Sequence, residues 1–265
     1  MVPLAAVITE GATFIVVSFV VAALYYRYFK RRKAAALTLA VAFNFWNLGA
    51  LGLFLGKLIQ YLGEQSIITN PYYTSIGFSD FGINIGYGFS ALSNVFIVLF
   101  VAVVFTQSPM FRKTGMIVPI IFGAMNGVTI GLLIGATFNT WPQPTYSLVP
   151  TLYHLVLTFI SFGALIFFTR GPLKAADLRW EKAGFRFIIL SGIFGILIYL
   201  FFAIDFVLGD FGFIEIFAEG FTPFYYAAYG MAILMCVFAY LGYVMPEFIR
   251  NLFKEHDEKA AKPID

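Results

Sequence analysis

Residues 8–33 read ITEGATFIVVSFVVAALYYRYFKRRK, with no charged residue from 11 to 26 and then Arg27, Lys30, Arg31, Arg32 and Lys33 in close succession. Crossing the ~30 Å hydrocarbon layer of a bilayer takes roughly 20 residues of helix at about 1.5 Å each, and this stretch is long enough. The order of its parts decides its reading. A cleaved signal peptide carries its basic residues before the apolar run and a small-residue cleavage pattern after it. Here the basic cluster comes last and no such pattern follows, so the segment reads as an uncleaved anchor with the N-terminus outside.

The same window moved along the chain picks out seven spans, near 8–29, 34–60, 82–106, 115–138, 147–169, 183–208 and 221–245. Basic residues test that assignment independently, because they collect on the cytoplasmic side of short connections. Arg112 and Lys113 follow the third span, and Arg170, Lys174, Arg179, Lys182 and Arg186 lie around the fifth-to-sixth connection. Arg250, Lys254, Lys259 and Lys262 occupy the tail. With the first cluster, 16 of 17 basic residues fall on one side, and Lys57 is the exception. The chain is therefore expected to be a multi-pass cell-membrane protein with its C-terminus cytoplasmic. Glu64, Asp80, Asp210, Glu215 and Glu219 fall on the outer side. Tyr25, Tyr26, Tyr28, Trp180, Tyr240 and Tyr243 fit an inner aromatic belt, and Tyr61, Tyr72, Tyr73, Trp141, Tyr225 and Tyr226 an outer one.

Composition agrees. Of 265 residues, 60% are hydrophobic and 12% charged, against roughly 45–50% and 25% in soluble domains. The expected fold is all-α, a seven-helix membrane domain over 1–245 with a short amphipathic tail over 246–265. In that tail Phe248, Leu252 and Phe253 share one side of a basic helix suited to the inner leaflet. The connection over 61–81 has room for a short helix or hairpin but no folded module. A net charge of +3 is too small to imply nucleic acid. The single cysteine, Cys236, excludes an internal disulfide and multi-cysteine metal sites, and His154 and His256 are the only histidines. No metal and no cofactor is expected. No nucleophile–base pair, metal triad or paired-acid site emerges either, so catalysis is not expected.

Polar groups inside hydrocarbon cost several kcal/mol unless partnered. Asn44, Asn47, Asn94 and Asn126 count to mid-depth and are candidates for one cluster. That cluster would be either interhelical hydrogen bonding that fixes packing or a pocket for a ligand or ion. The fourth span carries Gly123, Gly127, Gly131 and Gly135 at successive i, i+4 steps. Such a ladder admits a neighbouring helix, a second subunit or a flat ligand close to the backbone. Gly52 and Gly56 repeat it more weakly. Glu10, Lys57, His154 and Asp205 fall near the outer ends of four spans. They either snorkel to water or gather in one vestibule, where Lys57 would neutralise an acid.

Seven spans with an outside N-terminus occur in several families, and residues separate most of them. The last span has no lysine for a retinal Schiff base. The G-protein-coupled receptor motifs are replaced by Phe-Thr-Gln-Ser-Pro after the third span and Tyr-Gly-Met-Ala-Ile in the seventh. Histidines are too few for seven-helix zinc hydrolases or haem-binding cytochrome b, and the halves show no sugar-transporter repeat. The arrangement resembles the seven-helix sensor modules that precede prokaryotic histidine kinases and cyclase-type signalling proteins. The resemblance rests on the basic first inner loop from Arg27 to Lys33, the longer basic loop from Arg170 to Arg186, and the closing run Gly242-Tyr243-Val244-Met245-Pro246-Glu247-Phe248-Ile249-Arg250. It implies a receptor-like protein that binds a small or lipophilic ligand. Such modules feed a cytoplasmic output domain. With residues 247–265 alone after Pro246, the expected output is another membrane or cytoplasmic chain. The competing expectations are an accessory subunit of a larger membrane assembly and a small-solute transporter. Membrane lipids and a second copy of the chain are further expected contacts.

Overall fold

The first break in the chain comes at Arg32, whose left-handed backbone (φ 51°) turns its N–H back onto the Tyr28 carbonyl at 2.6 Å. That break separates α1 (Leu4–Arg31) from α2 (Ala34–Glu64) within the basic cluster. The other helices of the computed structural model are α3 (Gly77–Val104), α4 (Pro109–Thr114), α5 (Ile117–Asn139), α6 (Leu148–Ala175), α7 (Arg179–Asp210), α8 (Pro223–Val244) and α9 (Glu247–Ala260). The structure describes residues 1–68, 77–139, 148–210 and 221–260, and no strand occurs among them. Tyr72, Tyr73, Trp141, Glu215, Glu219 and Lys262, which the sequence assigns to interfaces and connections, lie outside the described residues, as does much of the 61–81 connection.

Two helices begin with a proline at the first position behind a capping hydroxyl. Ser108 accepts the Phe111 N–H ahead of α4, and Thr222 accepts the Phe224 N–H ahead of α8. Each cap satisfies one N–H of the first turn, and the proline removes another. Pro119 lies in the first turn of α5, where no intrahelical N–H bond is lost. Left-handed Met245 and then Pro246 end α8 and start α9.

Seven helices, α1, α2, α3, α5, α6, α7 and α8, are long and apolar enough to cross a membrane. Several outrun the hydrocarbon: the 31 residues of α2 extend ~46 Å at about 1.5 Å per residue. One expectation changes as a result. Arg170 and Lys174 ride on the end of α6 and Arg179, Lys182 and Arg186 on the start of α7, so only 176–178 separates the two helices.

Packing follows chain order around a ring. α1 meets α2, α2 meets α3, α3 meets α5 and α6, α6 meets α7, α7 meets α8, and α8 returns to α1. Glycines draw α7 to α8, where a Cβ added at Gly242 would stand 2.9 Å from the Gly184 carbonyl oxygen, and they draw α2 to α3 as closely. A Cβ added at Gly82 would stand 2.9 Å from the Gly52 carbonyl oxygen, and one at Gly56 would stand 3.0 Å from the Gly82 Cα. The α5 ladder packs differently. A Cβ at Gly127, Gly131 or Gly135 meets nothing within 4 Å, and one at Gly123 meets only Val95 at 3.6 Å. The within-chain contact expected of the ladder is made instead by Gly52, Gly56, Gly82 and Gly86. α5 is the most peripheral span, with 28% of its apolar window buried against 50% for α3.

Candidate functional site

Glu10 is placed by α1 on the helix face that meets α2 and α8. It is 1% exposed, a position at which a carboxylate needs partners to offset its desolvation. It has three. The hydroxyls of Tyr225 and Tyr229 donate to its Oε1 at 2.5 and 2.6 Å, and Lys57 Nζ lies 4.0 Å from the same oxygen. Glu10 Oε2 has no hydrogen-bond partner among the described residues. The two tyrosines stand i, i+4 on one face of α8, with rings 5.1 Å apart.

Lys57 comes from the last third of α2. Its ammonium donates to Ser79 Oγ at 3.1 Å and faces the rings of Phe221 and Tyr225 at 5.1 and 5.6 Å. Two turns of α2 further on, Glu64 takes the Val2 backbone N–H at 2.7 Å and the Gln60 amide at 3.0 Å. Asp205 on α7 accepts the Thr222 N–H at 2.8 Å and so anchors the start of α8. Five spans therefore bring polar groups to one end of the ring.

A second network crosses the interior between α3, α6 and α7. Tyr199 and Ser90 are hydrogen-bonded, and Ser90 Oγ lies 3.2 Å from His154 Nε2. Thr158 stands one turn from His154, 3.4 Å from the same nitrogen, and accepts from Asn94 Nδ2 at 2.8 Å. Asn94 Oδ1 in turn accepts from Ser161 at 3.0 Å. The rings of Tyr87 and Tyr199 flank the imidazole at 5.3 and 5.7 Å. His154 Nδ1 has no hydrogen-bond partner among the described residues.

The residues singled out from the sequence thus divide. Glu10 and Lys57 meet. His154 and Asp205 join other partners, and no hydrogen bond links either to the Glu10–Lys57 pair among the described residues. The asparagines do not form one cluster. Asn47 bonds Ser18 across α1 and α2 at 3.0 Å, Asn94 belongs to the histidine network, and Asn44 is half-buried on α2. Asn126 donates to the Phe122 carbonyl of its own helix at 2.9 Å, and its Oδ1 has no hydrogen-bond partner among the described residues. Tyr225, assigned by sequence to the outer aromatic belt, is 5% exposed and faces inward onto Glu10. The i, i+4 pair Tyr225 and Tyr229 was the available signal for it, since one helix face carrying two hydroxyls needs an acceptor.

Around these interior polar groups the outer surface is apolar, with Ile15, Phe19, Ile120, Phe138, Phe167 and Val207 among its exposed side chains. Polar groups inside and large apolar groups outside reverse the arrangement that water imposes. With seven apolar helices, this defines an integral membrane protein. No protein family, no curated protein and no solved structure matches the chain.

Proposed function

We propose that the protein is a receptor-like membrane protein that takes a small or lipophilic ligand at the Glu10–Lys57 cluster and signals through a partner chain. One observation carries the reading: Glu10 is buried among apolar helices, held on one oxygen by two tyrosines and a lysine, with the other oxygen unpartnered among the described residues. Ionisable groups so placed are costly and mark functional positions in membrane proteins. The cluster ties α1 and α2 to α8, and α8 runs through Met245 and Pro246 directly into α9. A ligand that alters the ion pair biases the packing of α1 on α8 and, with it, the position of α9. The likeness to sensor modules, the cytoplasmic C-terminus, the cell-membrane location and the lack of catalysis belong to the same proposal.

Gentle purification of the wild-type and Glu10→Gln proteins, with co-purifying chains quantified, tests it. The expected result is a stoichiometric partner in the wild type and a changed occupancy in a Glu10→Gln protein that still unfolds cooperatively. A wild-type protein that purifies alone and moves a solute across vesicles replaces the receptor with a transporter. A second reading, an accessory subunit of a larger assembly, is favoured by the open glycine face of α5. In that case Glu10→Gln leaves partner occupancy unchanged and Gly131→Leu reduces it.

A further inference from the structure

The Lys57 ammonium occupies a setting built like a receptor for organic cations. Such sites combine aromatic faces within about 6 Å, a nearby carboxylate and exclusion of water. Here Phe221 and Tyr225 supply the faces at 5.1 and 5.6 Å and Glu10 supplies the carboxylate. The occupant is imperfectly seated. A charge-assisted N–H···O contact runs at ~2.7–2.9 Å, whereas Lys57 Nζ stands 4.0 Å from Glu10 Oε1 and spends a donor on Ser79. Among the described residues Glu10 Oε2 receives no donor, and neither does Gln60 Oε1, one turn along α2 from Lys57. Glu10 is 1% exposed and Gln60 6%.

The site therefore holds more buried acceptors than its own side chains supply with donors. A cation rich in N–H groups relieves that mismatch, and an anion worsens it. Lys57 rides on a flexible four-carbon stem, so its head group can leave without moving the helix. Resting on the receptor reading above, we propose that this site receives a small organic cation, a primary amine or alkylammonium, and that Lys57 is the resident occupant the ligand displaces.

Lys57→Ala empties an aminopropyl-sized space and leaves Glu10, Phe221 and Tyr225 in place. The probe is n-propylammonium, added to the purified full chain while thermal unfolding is followed, with n-propanol and sodium chloride as controls. The unfolding temperature of Lys57→Ala should rise saturably, with an apparent affinity at least about ten-fold above that of the wild type. The response should vanish in Glu10→Gln/Lys57→Ala. An equal effect of n-propanol, or no response in a folded Lys57→Ala, overturns the proposal. Where Lys57→Ala does not fold, the wild type carries the test. n-Propylammonium chloride should raise acetylation of Lys57 relative to Lys113 over sodium chloride at equal ionic strength, the ratio cancelling whatever reagent the amine consumes. No rise at Lys57 overturns the proposal equally. A folded Lys57→Ala indifferent to the ammonium, beside a Glu10→Gln that still changes partner occupancy, sinks the cation and leaves the receptor. Ammonium binding without any effect on partner occupancy does the reverse.

Discussion

Asn94 and Asn126 are equivalent in the sequence, each an amide near the middle of an apolar span, yet their surroundings are opposite. Asn94 uses both ends of its amide on α6, donating to Thr158 and accepting from Ser161. Asn126 donates to its own helix and leaves Oδ1 buried without a partner among the described residues. Interhelical hydrogen bonds in membranes are worth ~0.6 kcal/mol on average and up to about 1.7, while an unpartnered buried oxygen is a cost that an apolar replacement removes. Asn94→Leu is therefore expected to lose about 1–2 kcal/mol, since it also strands Thr158 and Ser161. Asn126→Leu should be neutral or stabilising. Unfolding of the two purified variants in one detergent reads the difference, and the reverse order would refute this account of both sites. Residue type and depth were legible along the chain. The partner was not, because it depends on the rotation of each helix about its own axis.

Helices raise the same difficulty with glycine. The ladder from Gly123 to Gly135 has the most regular spacing in the chain, and three of its four members face open space. The less regular set on α2 and α3 carries the close approach, since contact needs a second helix whose own side chains are small at the same height. Gly82 and Gly86 supply that opposing face. Gly82→Ala would put a Cβ 2.9 Å from a backbone oxygen of α2. Neither helix can yield locally there, so a loss of ~1–3 kcal/mol is expected, as for overpacked cores. A Cβ at Gly131 meets no atom of the described residues within 4 Å, so Gly131→Leu should leave the unfolding temperature of the isolated protein unchanged. A drop for Gly131→Leu as large as that for Gly82→Ala would mean that the α5 face is covered. On α9 the exposed Phe248 and Leu252 lie one turn apart, the pattern of a helix resting on a lipid surface.

For the molecule as a whole, orientation follows from charge and is open to direct measurement. Cys236 is buried, so single cysteines introduced at exposed Gln65 and Gln107 report without a competing thiol. In intact cells a membrane-impermeant maleimide should label Gln65→Cys, and it should label Gln107→Cys only after permeabilisation; the opposite pattern would invert the topology. The sequence by itself determined that seven apolar helices cross a membrane, because hydrocarbon demands long uncharged runs and their count needs no knowledge of neighbours. It also placed Glu10 and Lys57 near the same end of their spans. Only the tertiary structure decided that these two meet beneath Tyr225 and Tyr229, that His154 joins Ser90 and Asn94 and stays apart from the acids, and that glycine seams lie between α2 and α3 and between α7 and α8. Spans are fixed by transfer from water to lipid, a property of each segment alone. Pairing within the bilayer is fixed by packing and hydrogen bonds between surfaces distant in sequence, and those exist only once the ring has closed.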